Sequence, residues 1–155
     1  MSPHREVLTA LAKGHGWTRG AELGVDKGIL FGMLLKNCPD LHLIGVDLFP
    51  DRLRSHRVFD LAKQYADRVT LIEGDTVASA AQVEDGSLDF VFIDADHSYE
   101  AVRRDIDAWR SKVRAGGWLG GHDYNRKFPG VVRAVDFVFG KKVYTLPGSI
   151  WSVVA

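Results

Sequence analysis

The sequence predicts an α/β protein, a three-layer sandwich built on a mostly parallel sheet, and three observations carry that reading. Short runs rich in β-branched and aromatic residues recur along the chain, each followed by a segment of helical period, the alternation that βαβ units produce. The runs end in glycine or acidic residues, as at Gly24, Asp47, Gly74-Asp75 and Asp94, and in open parallel sheets ligands sit beyond those carboxyl ends. The clearest run, LDFVFI over 88–93, is apolar except for Asp89 and reads as a strand buried on both faces.

Taken in order, Ser2-Pro3 is a helix cap followed by proline at the first helical position. Val7, Leu8 and Leu11 give this helix an apolar face, and Gly14 is expected to end it. A strand is expected over 21–25. Gly24 and Gly28 then bracket a turn into a helix that is apolar nearly all round over 29–35, hence buried, and stopped by Pro39. The second strand, over 42–46, ends at Asp47, and Pro50-Asp51 is expected to start a helix with Val58, Leu61, Ala62 and Tyr65 inside. A third strand over 69–72 ends in Glu73-Gly74-Asp75, ahead of a weak helix over 76–83.

After the fourth strand, Ser98 begins a helix carrying Val102, Ile106, Trp109 and Val113, spaced 4, 3 and 4 apart. Glu100 with Arg104, and Arg103 with Asp107, suit solvated pairs on its outer side. Gly116-Gly117 is expected to break that helix before a fifth strand over 118–121. A helix over 131–139 follows, and then two strands over 142–146 and 150–154 joined by Pro147-Gly148-Ser149, a hairpin signal. The hairpin adds one antiparallel strand, and the architecture is Rossmann-like.

The chain has 155 residues with 20 basic and 20 acidic side chains, for a net charge of zero. That length suits a single domain over 1–155, and the neutral balance argues against bulk-charge attraction to nucleic acid or an anionic membrane. Cys38 is the only cysteine, so no intrachain disulfide exists and a reducing compartment fits. No leader pattern or apolar run of membrane-spanning length stands out; a cytoplasmic location is expected.

Glu22-Leu23-Gly24-Val25-Asp26-Lys27-Gly28 lies between the first strand and its helix, where glycines let backbone approach a ligand closely. Asp47 stands 23 residues after Gly24, a place from which a carboxylate accepts ribose hydroxyls. Asp75 follows the third strand within reach of an adenine amino group. A glycine turn there is also an ordinary structural device, but three consecutive strand ends together point to an adenosine-bearing ligand. The dinucleotide fingerprint and the Gly-Lys-Ser/Thr phosphate loop are both absent. Glu22 would repel phosphate, whereas an acidic loop suits a cationic ligand.

AELGVDKG, GVDLF, EGD, DFVFIDADHSYE and AGGWLGGHDY resemble the successive motifs of class I S-adenosylmethionine-dependent methyltransferases. More narrowly, they resemble the small bacterial branch related to metal-dependent sugar and macrolide O-methyltransferases, and the closing LPGSIWSV is similar too. The resemblance implies strand order 3-2-1-4-5-7-6 with the seventh antiparallel, and S-adenosylmethionine as cofactor. It implies a cofactor site lined by Glu22, Gly24, Gly28, Asp47, Leu48, Asp75, Thr76 and Asp94, with Asp47 on the ribose and Asp75 near the adenine. It also implies a divalent metal, magnesium or manganese, held at the ends of strands four and five by Asp94, Asp123 and His122. His122 departs from the pattern, because the related metal enzymes carry two acidic or amide residues where this chain has His122-Asp123. A histidine ligand shifts preference from magnesium towards manganese, iron or zinc.

A hydroxyl acceptor must lose its proton, and a metal or a nearby base helps it do so. His97 is three residues past Asp94, and its imidazole is a serviceable base, with Asp96 as substitute or support. The competing structural readings are that Asp94 or Asp96 caps the next helix and that His97 only bonds its turn. Phe49, Tyr124 and Phe128 are candidates to shape a substrate pocket or for plain packing. Arg52, Arg54, His56 and Arg57 form a basic cluster suited to an acidic substrate or to solvent.

The expected reaction is methyl transfer to a small-molecule hydroxyl, a sugar or polyol. Two alternatives stand beside it: a nitrogen, protein or nucleic-acid acceptor, and a cofactor-binding module without turnover. The Asn/Asp-Pro-Pro-Tyr/Phe pattern of amino-methylating nucleic-acid enzymes is missing where Asp94-Ala95-Asp96-His97 stands. With one short helix before the first strand and no inserted lid, a homo-oligomer in which a second copy supplies the substrate wall is a further expectation.

Overall fold

The computed structural model describes residues 2–155. Seven strands, β1 (Arg19–Leu23), β2 (His42–Asp47), β3 (Val69–Glu73), β4 (Leu88–Ile93), β5 (Val113–Gly121), β6 (Tyr144–Leu146) and β7 (Ile150–Val154), form one sheet in the order β3-β2-β1-β4-β5-β7-β6. β7 runs antiparallel to both β5 and β6, and the other pairs are parallel. The expected order and the reversed seventh strand are both present.

The sheet is buried on both faces because helices cover each. From Phe90 onward the side chains of β4 alternate, Val91 and Ile93 joining one core and Phe90 and Phe92 the other, while Leu88, before the register slip against β5, also joins the first. The first core holds Val102, Ile106 and Trp109 of α5 (Tyr99–Trp109) with Val131, Ala134 and Val135 of α6 (Pro129–Phe139). The second holds Leu8 and Ala12 of α1 (Pro3–His15), Leu30, Phe31, Leu34 and Leu35 of α2 (Ile29–Asn37), and Val58 of α3 (His56–Gln64). Such two-sided burial explains why β4 reads as a continuous apolar run rather than an alternating one. Among the described residues no helix is long and apolar enough to cross a membrane.

Several boundaries differ from expectation, each for a local reason. α1 continues to His15 and ends at Gly16, whose left-handed φ of 62° closes the helix, so Gly14 is interior. β1 is 19–23 rather than 21–25, because Gly24 turns at φ 85°. α3 begins at His56, not at Pro50: Asp51 Oδ1 accepts from Arg54 N (3.0 Å) and spends the intervening residues on a turn. The weak helix is one turn, α4 (Thr76–Ser79), continued as a 3₁₀ turn over 80–82. Val113 is not helical; it opens β5 opposite Leu88. Gly116 and Gly117 therefore do not break α5 but lie within β5. There the register slips from Leu88↔Val113 to Phe90↔Trp118, an irregularity that the left-handed Gly116 permits.

Trp109 ties the core to the strand ends. It is fully buried, and its Nε1 donates to the Thr76 carbonyl at 2.8 Å, fixing α4 against α5. Trp109→Ala removes that bond and leaves a large cavity, and is expected to cost about 3–5 kcal/mol. Urea unfolding checks this as a lowered midpoint at unchanged slope.

Candidate active site

The functional side chains stand at the carboxyl end of the sheet because its hydrogen-bond ladder runs one residue beyond the strands. Gly24 N donates to Val46 O (2.9 Å), Gly74 N to Asp47 O (3.0 Å), Asp94 N to Leu23 O (2.8 Å) and His122 N to Ile93 O (3.0 Å). Each first residue of a loop is thereby held as firmly as a strand residue. Gly24 itself sits so close to the next strand end that a Cβ there would lie 2.1 Å from the Asp94 carbonyl oxygen. Only glycine allows this approach.

Two cavities open on either side of that contact. The first, ≈390 Å³, is lined by Gly24, Asp47, Leu48, Asp75, Thr76 and Asp94, all expected cofactor residues. The second, ≈440 Å³, is lined among others by His4, Arg5, Glu22, His97, His122 and Asp123. They share Gly24, Asp26, Asp94 and Ala95. Two members of the expected cofactor set lie elsewhere than with the rest. Glu22 lines the second cavity, and Gly28 lines neither, capping α2 in a left-handed conformation where a Cβ would strike Val58.

In the first cavity Asp47 is braced by the N–H groups of Asp26 (2.8 Å) and Phe49 (3.1 Å). Asp75 also caps α4, its Oδ1 accepting from Ala78 N at 2.9 Å. Both roles, cap and cavity wall, fall to one carboxylate. Arg104 and Asp105 of α5 also reach this cavity. Asp105 lies on the apolar inner face of α5 between Val102 and Ile106, hydrogen-bonded to Thr76 Oγ1, and burial pushes its pKa up to about 6. The spacing that reveals the inner face of this helix already places an acid on it, a signal the residue pattern carries.

The second cavity gathers the imidazoles. His97 Nε2 lies 2.8 Å from Asp123 Oδ2 and 3.8 Å from Asp94 Oδ1, yet it is buried with no aligned hydrogen-bond partner. His122 Nδ1 is 3.6 Å from Asp94 Oδ1 and 3.4 Å from Asp123 Oδ1. The Asp94 carboxylate alongside raises the His97 pKa against the opposing effect of burial, and Asp123 adds to it. At His122 burial disfavours the charged ring, but the two carboxylates outweigh it and the pKa rises. Asp94 is held below its ordinary range because the two histidines overcome its burial. Asp123 sits at φ 59°, a left-handed conformation uncommon for non-glycine residues and characteristic of functional turns.

His4, from the first turn of α1, carries no sequence signal of a role here. It is buried, its ring centroid is 3.8 Å from that of His122, and burial lowers its pKa to about 4. Glu22 is likewise buried, with Oε2 unpartnered, and burial with Asp94 nearby pushes its pKa well up.

Other candidates resolve differently. Asp96 is exposed, accepts from Ser98 N at 2.7 Å, and lies on the first cavity rather than the second. Phe128 packs on the His97 ring at 4.5 Å. Phe49 is buried against Phe59, and Tyr124 donates to Asp136 at 2.6 Å, which raises its pKa to about 12. Arg54 pairs with Asp26, Arg52 with Glu73, and His56 Nδ1 bonds the Leu53 carbonyl, so these three members of the basic cluster have partners within the chain.

Asp105 generates a pH dependence. Its folded pKa lies above that of an unfolded aspartate, so its contribution is full below about pH 4 and is lost as pH rises through about 6. Asp105→Asn removes this loss. The variant is expected to gain about 2 kcal/mol relative to the parent between pH 4 and pH 7.5, read by urea unfolding at both pH values.

Comparison with solved structures gives the same fold at low identity. A methyltransferase of Podospora anserina with S-adenosylhomocysteine bound has a TM-score of 0.78 and 17% identity, over 98% of this chain and 78% of that one. An O-methyltransferase from Bacillus cereus, also solved with S-adenosylhomocysteine, gives 0.76 and 17% over 98% and 80%. A TDP-rhamnose 3'-O-methyltransferase of calicheamicin biosynthesis gives 0.72 and 19% over 97% and 79%. No curated protein sequence matches. The sequence model described as "Methyltransferase domain" matches residues 21–124, a span running from β1 through every strand end described above to the turn after β5, and the chain therefore belongs to the methyltransferase-domain family.

Proposed function

We propose that the protein transfers a methyl group from S-adenosylmethionine to a hydroxyl of a small molecule, a sugar or other polyol. The observation that carries this reading is the pair of cavities meeting at Gly24 and Asp94, one lined by carboxylates at successive strand ends, the other by imidazoles. The likeness to O-methyltransferases, one of them acting on a sugar nucleotide, supports the choice of oxygen as acceptor.

The residues present suit the cofactor. Gly24, Asp26, Asp94 and Ala95 line both cavities, so a ligand lying along them would reach from one to the other, and Glu22 Oε2 is a buried acceptor without a donor. An α-ammonium reaching Glu22 would supply the donor and restore the carboxylate charge that burial suppresses. Asp47 would accept the ribose hydroxyls, and Asp75 with Thr76 would border the adenine. When bound, S-adenosylmethionine supplies a methyl carbon activated by its sulfonium. The tasks left to the chain are orientation and proton removal.

His97 is the group assigned to remove the proton. Its ring borders the second cavity, and Asp94 and Asp123 stabilise the imidazolium that forms. Phe128 limits the swing of the ring. Asp94, Asp123 and His122 would hold a divalent ion such as magnesium or manganese, which supplies a Lewis acid to lower the hydroxyl pKa. His122 Nδ1 lies 3.6 Å from Asp94 Oδ1 and 3.4 Å from Asp123 Oδ1, while among the described residues the donor atoms that fall together in threes are those of His4, Asp94 and His122 and those of Asp94, His97 and Asp123.

Methyl-labelled cofactor incubated with a panel of sugars and polyols tests the proposal. Label on an acceptor oxygen is the expected result, and cofactor binding with no transfer to any acceptor would overturn it. Asp47→Ala is expected to weaken S-adenosylhomocysteine binding roughly 10- to 100-fold by calorimetry, the worth of a charge-assisted hydrogen bond. His97→Gln is expected to lower kcat by roughly 10²–10⁴-fold. It should also abolish the acidic limb of the pH–rate profile, along which His97 of the parent must lose its proton to act as a base.

A further inference from the structure

We propose that His4, Asp94 and His122 form a nitrogen-rich site for a borderline first-row transition ion, Zn²⁺ being the probe, and that α1 is tied to the sheet through it. The inference rests on the reading of a cation at Asp94 given above and names the kind of ion. One ligand atom from each of the three residues falls within 4.8 Å of the others. The three come from remote places: the first turn of α1, the residue after β4 and the residue after β5.

Both imidazoles are oriented from behind, as metal-binding histidines are. Ser2 Oγ engages His4 Nδ1 at 2.9 Å, and with Nδ1 as the donor the lone pair falls on Nε2. The Gly148 backbone lies beside the His122 ring, whose Nδ1 faces Asp94 at 3.6 Å. Gly148 also seats His4: at its φ of 83° an added Cβ would lie 2.5 Å from His4 N. The turn before β7 therefore both positions His122 and leaves space for the backbone of α1. A histidine buried to 6% exposure against a second imidazole gains little from apolar packing, whereas two imidazoles and a carboxylate are a strong donor set for zinc, iron or nickel and a poor one for magnesium. Three protein ligands leave a coordination position open, and the ≈440 Å³ acceptor cavity, lined by all three residues, provides the space for it.

The test uses the untagged full-length chain stripped by chelator, titrated calorimetrically with Zn²⁺ and, separately, Mg²⁺, without cofactor. One Zn²⁺ per chain, bound more tightly than Mg²⁺, is expected. His4→Ala and the size-conserving His4→Gln should each weaken Zn²⁺ binding by at least about tenfold, the lower end of what even an outer partner of a ligand costs. They should leave Mg²⁺ binding unchanged, and circular dichroism verifies folding. Zn²⁺ binding that survives in the His4 variants but not in Asp94→Asn would overturn the role of His4 and leave a carboxylate-held ion. Absence of Zn²⁺ binding in the parent would overturn the site, while S-adenosylhomocysteine titration of the same sample independently decides the methyltransferase reading.

Discussion

The structure depends on a hydrogen-bond ladder that does not stop where the strands do. Four backbone N–H groups, of Gly24, Gly74, Asp94 and His122, each reach across to the strand alongside, so the first loop residues inherit the rigidity of a buried sheet. A site built on loops alone would be free to drift; here the groups meant to meet a ligand are fixed by main-chain bonds that no side-chain motion disturbs. The apolar cost of that placement is met by two cores on opposite faces, with Phe90 and Phe92 anchoring one and Val91 and Ile93 the other.

Electrostatics then divides the strand ends into two chambers. On one side carboxylates are braced by backbone N–H groups, as at Asp47 and Asp75. On the other, Asp94 and Asp123 face two histidines, and the mutual effect holds Asp94 ionised while it raises both imidazole pKa values. Neighbouring groups thus carry opposite tendencies for gaining or losing a proton, a condition for acid–base work near neutral pH.

The fold was legible because strand burial and helix period are written locally: β4 and β7 span the residues their apolar runs mark. Boundaries went astray where glycine or aspartate had a job the local pattern does not show. Gly116 and Gly117 look like a helix stop, yet they relieve a register slip that only pairing with β4 creates. Asp51 looks like a helix start and is a turn. At the site, the strand-end acids Asp47, Asp75 and Asp94 were readable because topology alone delivers them. His4 was not, since nothing within α1 records that the turn at Gly148 folds over it. Nor did the sequence separate Asp96 from His97: a one-residue step along the turn puts them on different chambers.

The partition at Gly24 and Asp94 has a bearing on how such a protein diversifies. The carboxylate-lined chamber is bordered by sheet tips that cannot shift without breaking the ladder, so it tolerates little change. The far wall of the other chamber is furnished by His4 and Arg5, carried on a helix that precedes the first strand. Exchanging that one N-terminal segment would reshape this chamber while leaving the carboxylate-lined compartment untouched.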